Sequence, residues 1–145
     1  MFSFYHPITV RYRDLDFQGH VNNTVYLTYL ESARIGYYRR VGIYHPQESL
    51  LTGMVVARNE IDYLAPIQLG QAVRVGLRVV RLGSKSITFS YQIETDPDGE
   101  PFALGKSVMV AYDNAKERSI PLPPEWREKI TQFEAQKGNH DLTQN

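Results

Sequence analysis

The feature that most constrains the fold is a run of four alternating apolar stretches that fills the chain from Gly53 to Asp113: "GMVVARNEIDYLA", "QAVRVGLRVVRLG", "SKSITFSYQIETD" and "EPFALGKSVMVAYD". Val73, Val75, Leu77 and Val79 fall on one side of the second stretch, as Ile87, Phe89, Tyr91 and Ile93 do in the third. A period of two with one apolar side is the mark of a strand with one buried face. The turn-forming segments "PIQLG" and "DPDGE" and the pair Gly83-Ser84 separate the stretches, and connections this short join antiparallel neighbours. A sheet of this kind needs a cover.

The cover is upstream. In "NTVYLTYLESARIGYYRRVG", Tyr26, Leu30, Ala33, Tyr37 and Val41 recur at helical spacing, which predicts a helix of about five turns. Asn22 or Asn23 suits its start, Gly42 suits a left-handed C-terminal residue, and Arg39 and Arg40 suit the negative end of the dipole. Leu27, Ile35 and Tyr38 widen the apolar surface, so the helix is expected to be covered on more than one side. Before it, Ile8, Val10 and Tyr12 alternate with Thr9, Arg11 and Arg13 as a first strand. One strand, one long helix and four antiparallel strands make an α+β fold with a curved sheet wrapped around the helix. "SIPLPPEW" then leads into a short polar helix ending near Gln136. The domain is expected over residues 1–137, with a disordered tail over 138–145.

Composition narrows the chemistry. A chain of 145 residues with 42% apolar side chains fits one domain that needs neither disulfides nor metal. Its 16 basic and 16 acidic residues cancel, which removes the general electrostatic case for nucleic acid or membrane partners but leaves room for a local phosphate contact. The absence of cysteine excludes a thiol nucleophile, a disulfide frame and a Cys-ligated metal. The start "MFSFYHPITVRYRD" lacks the layout of a signal peptide and no apolar run spans a bilayer, so a cytoplasmic protein is expected. "GKS" at Gly105 to Ser107 lacks the earlier glycine of a phosphate-binding loop and is followed by strand. "NNT" at Asn22 to Thr24 carries no weight as a glycosylation site without a secretory signal. No serine sits in a G-x-S-x-G elbow, and His6, His20, His45 and His140 lack metal-site spacing, so no metal is expected.

What remains is "RDLDFQGHVNNTVY", Arg13 to Tyr26, where Asp16 stands just before the helix. An aspartate there is either a cap or turn residue or a functional group. A helix start offers unpaired N–H groups and a positive dipole end, which can hold a carbonyl oxygen while a nearby carboxylate attacks or activates water. That suffices for a thioester, because a thiol with a pKa near 8.5 leaves without much help from an acid.

The motif "DLDFQGHVNNTVY", the helical "YLESAR" and the later "IDYLAPIQLGQAVRV" and "VVRLGSKSITFSYQI" together resemble the hotdog-fold acyl-CoA thioesterases of the 4-hydroxybenzoyl-CoA thioesterase type. The resemblance runs from about Ile8 to Pro123. It implies a five-stranded antiparallel sheet around one long central helix, assembled as a homodimer or homotetramer with sites between subunits, and hydrolysis of an acyl- or aroyl-CoA without a cofactor. By position, the catalytic carboxylate is Asp16, as nucleophile or general base, and the N–H that polarises the carbonyl belongs to Asn23. Gly19 lets the chain approach substrate. His20 donates to substrate or to Asp16, or orients the loop, and Asn22 or Asn23 can bind a water or fix the loop. Asp14 is read as structural.

Some relatives carry a histidine where this chain has Asn23, so no second acid-base group is assigned. Glu31 on the helix is a rival carboxylate, with an ion pair to Arg34 as its alternative. Glu60 and Asp62 alternate with apolar residues as solvent-facing strand positions do. Lys85 and Ser86 align with a pair that lies near the nucleotide in relatives, with Arg81 close by. The arginines some relatives place before that pair are replaced by Gly83 and Ser84. Tyr63 either lines the acyl pocket from the partner subunit or packs in the sheet. An acyl-carrier-protein thioester is the nearest alternative substrate. An enoyl-CoA hydratase and a non-catalytic acyl-CoA-binding module are the readings from other classes.

Overall fold

A computed structural model describes residues 1–44 and 52–145. Strand β1 (Phe4–Ile8) leads through a 3-10 turn to helix α1 (Asn23–Val41), followed by β2 (Thr52–Tyr63), β3 (Val73–Leu82), β4 (Ser86–Thr95) and β5 (Pro101–Asp113). Two-residue β6 (Arg118–Ser119), helix α2 (Pro124–Gln136) and two-residue β7 (Thr143–Gln144) complete the chain. The sheet runs β1-β3-β4-β5-β2 with every pair antiparallel, β6 on β5, and β7 parallel to β3. Among the described residues it therefore has seven strands where five were expected, and a second helix of 13 residues packs with the first.

Helix α1 is bounded as its sequence demands. The Asn22 side chain accepts the Thr24 N–H, and Gly42 closes the other end at φ 83°, a left-handed conformation only glycine adopts without strain. Tyr26, Tyr29, Leu30, Ala33, Tyr37 and Tyr38 are buried against inward residues of β3, β4 and β5. Tyr37 is a hub, with its ring edge-on to Phe4 of β1, Phe89 of β4 and Phe133 of α2 at 6.2, 5.4 and 5.5 Å.

Two sequence readings shift. The first strand ends at Ile8, not Arg13, because its partner β3 begins at Val73, which pairs with Ile8. Beyond that point Asp14 accepts the Arg11 N–H at 2.9 Å and winds the chain into a turn. The tail over 138–145 returns to the sheet instead of leaving it: Asn139 is buried, and Thr143 and Gln144 pair with Arg81 and Leu82.

The tail is held by a buried carboxylate. Glu134 of α2 is fully enclosed, and its Oε1 accepts from the Tyr37 hydroxyl (2.7 Å), Ser3 Oγ (2.9 Å) and the Val79 N–H (3.0 Å). Its Oε2 accepts from Asn139 Nδ2 at 2.9 Å. β1 flanks β3 only as far as Leu77 and β7 begins opposite Arg81, so Glu134 occupies the ladder position between them.

Glu134→Ala leaves several buried donors unpaired and is expected to destabilise the fold by about 3 kcal/mol or more, measured by urea unfolding. Burial also pushes the phenols of Tyr29, Tyr37, Tyr38 and Tyr91 up from their ordinary range. Groups whose folded pKa exceeds an unfolded value of about 10 stabilise fully below that pH and progressively less above it. The urea midpoint should therefore fall above about pH 10. Tyr38→Phe, which removes a hydroxyl with no partner among the described residues, should make that fall shallower without loss at neutral pH.

Candidate active site

The segment before α1 is a tight hairpin. Leu15 bridges Val21, the Asp16 N–H donates to the His20 carbonyl at 2.8 Å, and the Gly19 N–H donates to the Asp16 carbonyl at 3.0 Å. Gly19 sits at φ 81°, the left-handed position that ends a three-residue hairpin loop. The Asp16 side chain braces its own turn, Oδ1 accepting the Gln18 N–H at 2.9 Å. A carboxylate with one oxygen committed to the loop keeps a fixed direction. Phe17 at the tip is 97% exposed.

The hairpin is tied down on both sides. The Asn22 N–H donates to the Asp14 carbonyl at 2.8 Å, and the Val21 N–H donates to the Ile67 carbonyl at 2.8 Å. Asp14 is structural, its Oδ2 taking the Arg11 N–H and the Tyr29 hydroxyl, the latter at 2.8 Å. Burial first, and the Asp14 carboxylate second, hold the Tyr29 phenol above its ordinary range, so it stays protonated and donates. Asn22 is the helix cap: its Oδ1 takes both the N–H and the hydroxyl of Thr24.

Asn23, the first helical residue, has no acceptor for its N–H among the described residues. Its carbonyl accepts the Tyr63 hydroxyl at 2.9 Å, and the Tyr63 ring meets Tyr26 edge-on at 5.0 Å. Asp16, His20, Asn23 and Tyr63 line one cleft of about 360 Å³, closed by Tyr26 and the segment Leu64 to Pro66. It brings the residues that carry a carboxylate and a free helix-start N–H to one open cleft of mixed polar and apolar lining, the arrangement that polarises a carbonyl while a nucleophile approaches.

Four sequence candidates thus line one cleft within the chain, Tyr63 among them. Gly19 shapes the loop and Asn22 the helix start. No side-chain hydrogen bond joins His20 to Asp16 among the described residues; the two are linked through backbone. Arg81, Lys85 and Ser86 stand apart, at the far end of β3 and its turn, roughly 30 Å of strand from the 64–68 segment that closes the cleft. There Lys85 Nζ reaches Ser119 Oγ at 3.3 Å. Glu31 does not pair with Arg34, which turns inward to Tyr91 and Ser107. Glu60 and Asp62 are exposed on β2. Leu64, Ala65 and Pro66 went unread as site residues, because they reach the hairpin only through the Val21–Ile67 bond and the His20–Gln68 bridge.

The model of one protein family, described as the thioesterase-like superfamily, matches residues 10–130. The chain belongs to the thioesterase-like superfamily. Among its thioesterase relatives is the long-chain acyl-CoA thioesterase FadM of Escherichia coli (strain K12), 30% identical over 126 residues, covering 87% of this chain and 96% of FadM. The chloroplastic acyl-acyl carrier protein thioesterase ATL3 of Arabidopsis thaliana is 30% identical over 135 residues, 90% of this chain and 70% of ATL3. Among solved structures, a thioesterase of Thermus thermophilus complexed with coenzyme A and Zn is 42% identical with a TM-score of 0.79, covering 92% of this chain and 96% of that one. The fold is thus hotdog-like, an antiparallel sheet with two helices. Among the described residues no group of three or more His, Asp or Glu is placed to hold a metal, and no helix is long and apolar enough to cross a membrane.

Asn22→Ala removes the cap and is expected to cost about 1 kcal/mol, whereas Asn22→Asp keeps an acceptor and most of that stability. Urea unfolding of the two variants side by side checks this.

Proposed function

We propose that the protein hydrolyses an acyl- or aroyl-CoA thioester to the free acid and coenzyme A. The observation that carries this reading is the Asp16 carboxylate and the unpaired Asn23 N–H lining one cleft. The Asn23 N–H and the positive end of α1 draw electron density onto the carbonyl oxygen. Asp16 either attacks the carbonyl carbon, expelling the thiolate and leaving an anhydride that water opens, or takes a proton from a water that attacks directly. In both routes water supplies the hydroxyl of the acid and the proton of the thiol. His20 and Tyr63 line the cleft and position substrate, Tyr63 also anchoring the Asn23 carbonyl. Similarity to an acyl-carrier-protein thioesterase favours a second substrate reading with the same chemistry on a carrier protein.

The assembly we propose is a homodimer, or a homotetramer built from it, in the cytoplasm. β2 is an edge strand of the sheet, with Val55, Val56 and Tyr63 among its exposed residues, and a long unpaired edge favours pairing with a second copy. Arg81, Lys85 and Ser86 stand at the end of β3 and its turn away from the Asp16 cleft, and in this reading a neighbouring subunit supplies them to the nucleotide.

Free-thiol release from short-chain, long-chain and aromatic acyl-CoAs tests the proposal. Asp16→Asn is expected to lower turnover by about 100-fold or more with folding and CoA binding intact. An Asp16→Asn protein as active as wild type would move the carboxylate role to Glu31 or elsewhere. Release from acyl carrier protein alone would select the second substrate.

A further inference from the structure

Away from Asp16, a larger cavity of about 550 Å³ opens between the second half of α1, the start of β2, β5 and the start of α2. Ile35, Tyr38, Met54, Met109 and Trp126 give it apolar walls, and Arg34 breaks their pattern. The Arg34 side chain is only 5% exposed. Its Nη1 donates to the Tyr91 hydroxyl at 3.2 Å and Ser107 Oγ at 3.3 Å, both neutral groups. No ion pair to a carboxylate neutralises it among the described residues. Glu31 and Glu125 are the acids of this cavity; both are exposed, and Glu125 pairs with Lys129.

A buried cation without a counter-charge is costly unless something else supplies one. Beside Arg34, the Tyr38 hydroxyl is buried with no hydrogen-bond partner among the described residues, and burial keeps it protonated, hence a donor. A desolvated cation on the wall of an apolar cavity, with an unused and fully enclosed hydroxyl beside it, fits an anion with an apolar body. Carboxylates at the exposed side disfavour a polyphosphate there.

We propose that this cavity binds a carboxylate on an apolar body, with the Arg34 guanidinium and the Tyr38 hydroxyl holding the carboxylate and the Met54, Met109 and Trp126 wall holding the chain. This goes beyond the hydrolytic reading and stands without it, since Asp16 does not line the cavity. Two sources carry the chemistry: a free acid, and an acyl group with a second carboxylate at its far end. The latter fits the dimer, where antiparallel pairing of two β2 strands about their midpoint would set the Tyr63 end of one copy, beside Asp16, against the Thr52 end of the other, beside this cavity.

Trp126 is the single tryptophan of the chain and reports on the cavity by its fluorescence. Titrated with octanoate and 1-octanol, the wild type is expected to respond to the acid at a concentration about tenfold lower or more. Arg34→Met should erase that preference and Arg34→Lys retain part of it, while Tyr38→Phe weakens octanoate binding by about threefold. If Arg34→Met does not fold, Tyr38→Phe, which breaks no existing hydrogen bond, carries the test. Equal responses to acid and alcohol in the wild type, or octanoate binding unchanged in Tyr38→Phe and in any folded Arg34→Met protein, would overturn the proposal. Comparing octanoyl-CoA with its ω-carboxy counterpart separates the sources. A loss confined to the ω-carboxy ester in Arg34→Met places an acyl group in the cavity, and unchanged turnover of both places a free acid there. Octanoate preference without any hydrolysis overturns the hydrolytic reading alone.

Discussion

The Glu134 carboxylate is the contact on which the rest of the structure leans. Sheet ladders satisfy themselves, but β3 has a gap in its neighbours between Leu77 and Arg81, and a bare N–H in a closed core is expensive. Glu134 fills the gap with an oxygen from α2. The same atom receives the Tyr37 hydroxyl of α1, so one acceptor fixes sheet, long helix and terminal helix against each other. A buried carboxyl group is tolerable because both its oxygens have donors.

That rigidity matters at the opposite end of α1. The candidate site is a short loop whose backbone is bonded to itself, to Asp14 and to the end of the β2 connection, and whose Asp16 carboxylate is braced by its own turn. Geometry that must hold a carboxylate and an N–H around one carbonyl carbon belongs on a fixed frame. The helix start supplies that frame, with its cap on Asn22 and its first carbonyl held by Tyr63.

The parts of this arrangement that were legible in the sequence are those governed by local rules. Helical spacing from Tyr26 to Val41, period-two alternation in β3 and β4, and the Gly42 stop all follow from backbone geometry acting on neighbouring side chains. Asp16 stood out because so many turn residues crowd one place before an apolar helix. What escaped depends on distant partners. The alternation from Ile8 to Arg13 had the right period but no strand to pair with past Val73. The tail looked polar and dispensable, yet Asn139 returns to Glu134. Arg34 sits at ion-pair spacing from Glu31, but Tyr91 and Ser107, far along the chain, offered it a buried alternative. Leu64 and Ala65 read as the end of a strand and Pro66 as the start of a turn, because the hairpin they close is over forty positions away.

The carboxylate clasp also bears on how the chain is made. Ser3 and Glu134 are 131 positions apart and share one hydrogen bond. During synthesis the first strand leaves the ribosome long before α2 exists, so the edge of β3 beside Val79 stays open until the last helix emerges. A contact that spans 131 positions cannot form in the order the chain is translated. The Val79 N–H can meet its Glu134 acceptor only once α2 has emerged, so this stretch of the β3 edge is completed last.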